Sequence, residues 1–267
     1  MLRKIELLYS FLAFTQVSCQ CFDDVKFSIT KNDIKITVLK ADTVNDERLA
    51  TEIFAENEHI PVLQTGCFKG LPKLKYIGLY NCGLKQIEKC AFLNLPSAKI
   101  ISLNFNNLKV IENGVFHSLE IVKLSLIGNG IQDIKEHAFY NLTYLESLDL
   151  SRNNLITLKP NIFYITQNIQ RINFSDLSYN NLTSIEKNTF QGLKYIDYIL
   201  LNNNNIVNIH PAAFRSIVQG KMLNLQNNNI NEIPTKVKYS GFNEVLFDED
   251  KPEDIFEKEI TKEFTQK

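Results

Sequence analysis

The sequence predicts an α/β solenoid: a chain wound into about eight stacked coils, with a parallel β-sheet down one side. Three observations predict it. The stretch from Leu145 to Phe163, LESLDLSRNNLITLKPNIF, places Leu145, Leu148, Leu150, Asn153 and Leu155 in the pattern L-x-x-L-x-L-x-x-N-x-L, followed by Leu158 and Phe163. The Asn position recurs at Cys82, Asn106, Asn129, Asn153, Asn180, Asn204 and Asn228, in steps of 24, 23, 24, 27, 24 and 24 residues. A Phe follows each of the first six anchors at Phe92, Phe116, Phe139, Phe163, Phe190 and Phe214, and Phe68 sits one step earlier. Ile60 and Leu63 precede Phe68, with Glu58 in place of the Asn, so the first repeat is degraded; the last lacks its Phe.

The unit has a physical reading. The L-x-x-L-x-L part alternates as a short strand, with Leu148 and Leu150 inward and Asp149 and Ser151 outward. One coil cannot bury its leucines alone, so neighbours must supply the wall and the ends need caps. The anchor Asn lies where the chain leaves the strand, and its amide can satisfy backbone groups of the turn and of the next coil. The Phe residues should stack into the far wall. These residues are therefore core and ladder, not ligand contacts.

Composition narrows the function. The 267 residues carry 29 Lys and Arg against 30 Asp and Glu, a net charge of −1, so no global basic field points to nucleic acid. Eighteen Phe without any Trp suit a repeat spine rather than an aromatic cage.

The N-terminus, residues 1–19, reads as a secretory signal peptide. Arg3 and Lys4 open it and Leu7 to Phe14 forms an apolar stretch too short to span a bilayer. The cut falls after Cys19 or after Ser18. The product is expected in an oxidising, extracellular compartment. Cys82 replaces a ladder Asn and is expected to be a buried free thiol. Cys67 and Cys90 precede the Phe of consecutive coils, so a Cys67–Cys90 bridge is one arrangement. A Cys21–Cys67 bridge, tying the cap to the first coils, is the other; sequence does not decide connectivity.

Residues 20–50 form the expected N-terminal cap. Lys26 to Thr30 and Ile34 to Leu39 have strand spacing and β-branched residues around the turn-forming Lys31-Asn32-Asp33, a β-hairpin joining a first strand near Ile53. Residues 51–233 are the repeats.

Over residues 58–233, about two thirds of the chain, these motifs resemble the typical extracellular leucine-rich-repeat proteins, with 24-residue units and Phe in the outer wall. Short secreted invertebrate immune and adhesion proteins are the nearest in size and layout. The resemblance implies a leucine-rich-repeat horseshoe whose concave side is a parallel sheet that binds proteins or other large ligands. The cysteine-rich C-terminal cap of that class is missing, since no Cys follows Cys90.

The outward strand positions form columns on that face. One reads Tyr76, Ile100, Lys123, Ser147, Arg171, Tyr198 and Met222; the next reads Gly78, Ser102, Ser125, Asp149, Asn173, Leu200 and Asn224. Tyr80, Ile127 and Asn202 follow, then Asn81, Phe105, Arg152, Tyr179 and Asn203. Aromatic residues, Met and Arg are enriched at interfaces. The expected ligand contacts are thus Tyr76, Tyr80, Ile100, Phe105, Ile127, Arg152, Arg171, Tyr198, Leu200 and Met222. The ligand is a protein or a pathogen surface. The 27-residue step places three extra residues after Phe174, near Ser175-Asp176-Leu177. The sequons Asn141-Leu-Thr, Asn173-Phe-Ser and Asn181-Leu-Thr are glycosylation candidates.

Residues 234–267 form the C-terminal segment. Glu244 to Phe247 reads as one last strand. Glu253 to Phe264 has helical spacing, with Phe256, Ile260 and Phe264 on one face. It is a cap on the last coil, or a short partner helix; a dimer would form through it or through the concave face. The tail is too charged for a membrane span.

No enzyme is expected. His59, His117, His137 and His210 are scattered, and HExxH, G-x-S-x-G and phosphate-loop motifs are missing. Neither cofactor nor metal is expected. Innate immune recognition is the leading function class. Adhesion, matrix, or a soluble relative of a receptor ectodomain is the alternative.

Overall fold

The computed structural model describes residues 27–31, 34–38, 50–117, 119–160, 162–163, 171–238 and 240–248. The expected signal peptide, Cys21 and the expected helix Glu253 to Phe264 lie outside them. The chain winds into a parallel β-solenoid of about eight turns. Its spine is an eleven-stranded sheet. Nine of its strands run parallel, from Ala50–Glu56 through Tyr76–Tyr80 and its successors to Phe242–Leu246. At the other end, Phe27–Lys31 and Ile34–Val38 pair antiparallel, and Phe27–Lys31 lies antiparallel to Ala50–Glu56 with Ile29 opposite Ile53.

The leucine pattern does what its period requires. Leu148, Leu150, Ile199 and Leu201 are fully buried, as are Ile77, Leu79, Ile101 and Leu103. Each such side chain is worth about 1.5–3 kcal/mol of apolar transfer. The Phe rings form the opposite wall. Phe68, Phe92, Phe116 and Phe139 stack at centroid distances of 5.5, 5.8 and 6.3 Å, and Phe163, Phe190 and Phe214 at 5.1 and 4.9 Å. The coil that lacks its own Phe borrows one from the last strand: Phe242 meets Phe214 edge-on at 6.0 Å. Gly220 makes room for it, since a Cβ there would collide with the Phe242 ring.

The anchor residues form the expected ladder. Asn153 Nδ2 donates to Leu150 O of its own coil and Leu126 O of the coil before (2.9 and 3.0 Å), while its Oδ1 accepts from Asn129 N and Ile131 N (3.0 and 2.9 Å). Asn106, Asn180, Asn204 and Asn228 repeat the pattern of donation. Cys82 is a buried free thiol whose Sγ donates toward Tyr80 O and Ala55 O at 3.3 and 3.5 Å, a weaker version of the same contacts. Burial raises its pKa.

Two expectations are corrected. The α/β class becomes a β-solenoid, because the only helix among the described residues is the four-residue Thr235–Lys238. The outer wall consists of turns and two-residue bridges such as Val62–Leu63 with Gln86–Ile87. Left-handed residues soon after the Phe positions, at Gly70, Asn94 and Asn141, with φ of 69°, 54° and 63°, break any helix there. The Cys67–Cys90 bridge is not formed: Cys90 is a free thiol, and Cys67 is disulfide-bonded to a partner outside the described residues. Register explains this. Phe68 pairs with Phe92, so Cys67 lies beside Ala91, and Gly66 N donates to Cys90 O. Cys67 and Ala91 are buried together, while Cys90 is half-buried in a left-handed turn at φ 62°.

The three extra residues of the long repeat also move. Ser147 pairs with Phe174 and Asp149 with Asp176, so the insertion falls between Phe163 and Arg171, before the strand Arg171–Asp176. Ser175 then takes a core leucine position, paired with Leu148 and Ile199. It is fully buried and its Oγ has no partner among the described residues. An orphaned buried hydroxyl costs about 1–3 kcal/mol. Ser175→Ala is expected to stabilise the protein by about 1 kcal/mol, seen as a higher urea midpoint; a lower midpoint would mean the hydroxyl has a partner.

Candidate functional site

The sheet's solvent-facing side is the concave face of the expected horseshoe. Strand register aligns its positions in columns. The first runs Glu52, Tyr76, Ile100, Lys123, Ser147, Phe174, Tyr198 and Met222. The second runs Phe54, Gly78, Ser102, Ser125, Asp149, Asp176, Leu200 and Asn224. Two expected members are displaced. Arg171 pairs with Tyr195 rather than Ser147, because the insertion precedes it, and Phe174 takes its column position. Asn173 likewise yields its column position to Asp176. The other expected contacts share the face. Tyr76, Ile100, Ile127, Tyr198, Leu200 and Met222 are half-buried, and Tyr80, Phe105 and Arg152 are exposed.

Sequence reasoning missed Phe54 and Glu56 on the first strand, and Phe174 and Asp176. The signal for the latter pair was available. Ser147 and Asp149 stand six and four residues before Asn153, and counting back from Asn180 gives Phe174 and Asp176.

The rim of the face has its own backbone signature. The residue before each anchor is left-handed in all eight coils: Asn57, Asn81, Phe105, Gly128, Arg152, Tyr179, Asn203 and Asn227, with φ between 51° and 66°. Its N–H donates to the next coil, as in Phe105 N to Ile127 O at 2.7 Å and Arg152 N to Ser178 O at 3.0 Å. In the last coil Asp248 Oδ2 takes this role, accepting from Asn227 N at 2.7 Å. Asn and Gly adopt this conformation at little cost, whereas bulky side chains do not. Phe105, Arg152 and Tyr179 hold it nonetheless.

Ring contacts and charges are specific. Tyr80 and Phe105 lie 5.0 Å apart. Arg152 stacks on Tyr179 at 4.6 Å, and Lys221 lies 5.7 Å from the Tyr198 ring while bonding Asp197 at 2.8 Å. Burial raises the Tyr76 pKa, with Ser102 opposing and Glu52 reinforcing. Burial also raises the Asp176 pKa; hydrogen bonds from Ser178 and the charge of Arg152 oppose this, and the Asp149 charge adds to it. Asp149 Oδ1 accepts from Ser151 N and Oγ, and Asp176 Oδ1 from Ser178 N, so each carboxylate braces its own strand end. Such a face can bind by stacking, apolar contact and charge. Among the described residues no group of three or more His, Cys, Asp or Glu could hold a metal ion. His117 and His137 pack on Tyr140, at 5.6 and 5.8 Å, in the outer wall.

The sequons fall in three settings. Asn181 is exposed past the ladder, and Asn141 is half-buried in a left-handed turn. Asn173 lies within the strand Arg171–Asp176.

No helix among the described residues is long and apolar enough to cross a membrane. Repeats of this architecture suggest a protein-interaction module. Among curated proteins, none matches the chain. The sequence matches the BspA-type leucine-rich repeat region in six copies, over residues 37–154, 61–179 and 109–245. With the coils, the ladder and the Phe wall in place over that same span, the chain belongs to the leucine-rich-repeat family in its BspA-type form.

Proposed function

We propose that the chain is a secreted, non-enzymatic recognition protein of innate immunity that captures a protein or another large ligand on its concave face. One observation carries the reading: Tyr80 and Phe105, 37% and 41% exposed, stand beside half-buried Tyr76 on an open sheet surface. Aromatic surface of this kind serves interfaces, where rigid rings contribute much of the contact energy. The leader of Arg3, Lys4 and the apolar Leu7 to Phe14 supports secretion, and a disulfide at Cys67 suits an oxidising compartment. Adhesion or matrix binding uses the same face, and the nature of the captured partner separates the two. A circulating partner favours immunity; a cell-surface or matrix partner favours adhesion.

The test is affinity capture of the secreted chain in its native fluid, beside a variant carrying Tyr76→Ala, Tyr80→Ala and Phe105→Ala. These side chains lie outside the core, so the variant is expected to melt within a few degrees of the parent. It is expected to bind the captured partner at least about tenfold more weakly, since hot-spot aromatics are each worth about 2 kcal/mol or more. A partner held equally well by both proteins would place the binding surface elsewhere.

A further inference from the structure

Exposed aromatic rings on this protein occur in two states. Exposed Tyr179 and Tyr144 and half-buried Tyr198 each carry an intramolecular cation, from Arg152, Lys99 and Lys221 at 4.6, 5.7 and 5.7 Å. Tyr80 and Phe105 carry none among the described residues. Directly across from Tyr80 in the strand pair stands Glu56, exposed and without an ion pair among the described residues. Glycines make room for Phe105 and for the neighbouring Tyr76 and Phe54. A Cβ on Gly78 would lie 2.5 Å from the Tyr76 hydroxyl and 2.8 Å from the Phe54 ring, and one on Gly128 would lie 2.8 Å from Phe105.

Charge points the same way. The chain as a whole is balanced, 29 cations against 30 anions. The N-terminal end of the face is not: Glu52 and Glu56 occupy its first strand, and the first cation in the aligned columns is Lys123, three coils on. Backbone conformation adds a third observation. Phe105 holds φ 57° at a position where Asn57, Asn81, Asn203 and Asn227 serve the same turn without strain. The ring is kept where the fold would be better served by Asn.

We infer that the N-terminal half of the concave face, centred on Tyr80 and Phe105, docks an extended Lys- or Arg-bearing segment of a partner protein. The inference rests on the concave-face reading above and adds the partner's chemistry. The rings take the aliphatic stem and cationic head of a basic side chain, as Tyr179 takes Arg152 within the molecule. Glu56 receives the charge, directly across from Tyr80 in the strand pair. Two coil steps separate Glu56 from Phe105, roughly 10 Å at ordinary strand spacing, which about three extended residues cover.

The test pans a displayed random twelve-residue peptide library on the whole chain. Recovered peptides are expected to be at least threefold enriched in Lys and Arg over the unselected library. Their binding should weaken at least tenfold on Phe105→Asn, a variant expected to melt no lower than the parent, and at least threefold on Glu56→Gln. Acidic, neutral or absent binders, or indifference to Phe105→Asn, overturn the inference. Neutral or acidic binders that are lost on Tyr76→Ala overturn only the charge preference. Binders lost on Tyr140→Ala in the outer wall, and not on concave substitutions, overturn the concave-face reading as well.

Discussion

Phe190→Ala is expected to destabilise the protein by about 4 kcal/mol, at the upper end of single core truncations. Phe190 is fully buried and stacked on both sides, 5.1 Å from Phe163 and 4.9 Å from Phe214. Truncation removes its transfer energy, two ring contacts worth about 0.5–1.5 kcal/mol each, and leaves a cavity the flanking coils cannot close. A solenoid coil contacts only its neighbours, so the damage should localise between the coils of Phe163 and Phe214. Urea denaturation followed by circular dichroism is expected to show a lower midpoint with the two ends separating into distinct transitions. A loss under about 1 kcal/mol, far below the usual range for such truncations, would show that the Phe column does not bear on stability.

Asn153→Leu is expected to cost about 3 kcal/mol, through a different cause. The substitution keeps bulk and adds apolar surface, which by itself would favour folding. What it removes is a side chain that satisfies backbone groups of its own coil and of the coil before: the carbonyls of Leu126 and Leu150, and the N–H groups of Asn129 and Ile131. Each buried group left without a partner costs about 1–3 kcal/mol, so the loss outweighs the gain. The same substitution at exposed Asn154, one residue along, should be nearly silent. Equal melting temperatures for the two variants would contradict the ladder.

The repeats were legible in the sequence because their period is imposed by a geometry that repeats. Leu148, Leu150, Asn153 and Phe163 each have one environment, and the residue type reports it. The outer wall was less legible. Its Phe positions repeat, but a repeating Phe does not tell a turn from a helix, and the left-handed Gly70, Asn94 and Asn141 that exclude helix act one residue at a time. The long repeat misled for a physical reason: Ile172 resembles a strand leucine, whereas the true core position holds Ser175. The distance from strand to ladder is constant, because both belong to one hydrogen-bonded turn, and only the outer crossing tolerates insertion. Counting from Asn180 therefore finds the register that counting from Ser147 loses. On the binding face, Tyr76, Tyr80 and Phe105 were readable as outward positions, but the left-handed strain at Phe105 and the missing cation over its ring exist only in three dimensions.

Disulfide trapping of engineered cysteine pairs tests the stacking register directly. Ser147→Cys combined with Phe174→Cys places two thiols on paired neighbours of adjacent parallel strands, within the Cα separation of roughly 4.4–6.8 Å that a disulfide accepts. Mild oxidation and peptide mapping are expected to recover that bridge in high yield and almost none from Ser147→Cys with Arg171→Cys. Efficient bridging of the second pair, or of neither, would contradict the coil stacking on which the columns of the concave face depend.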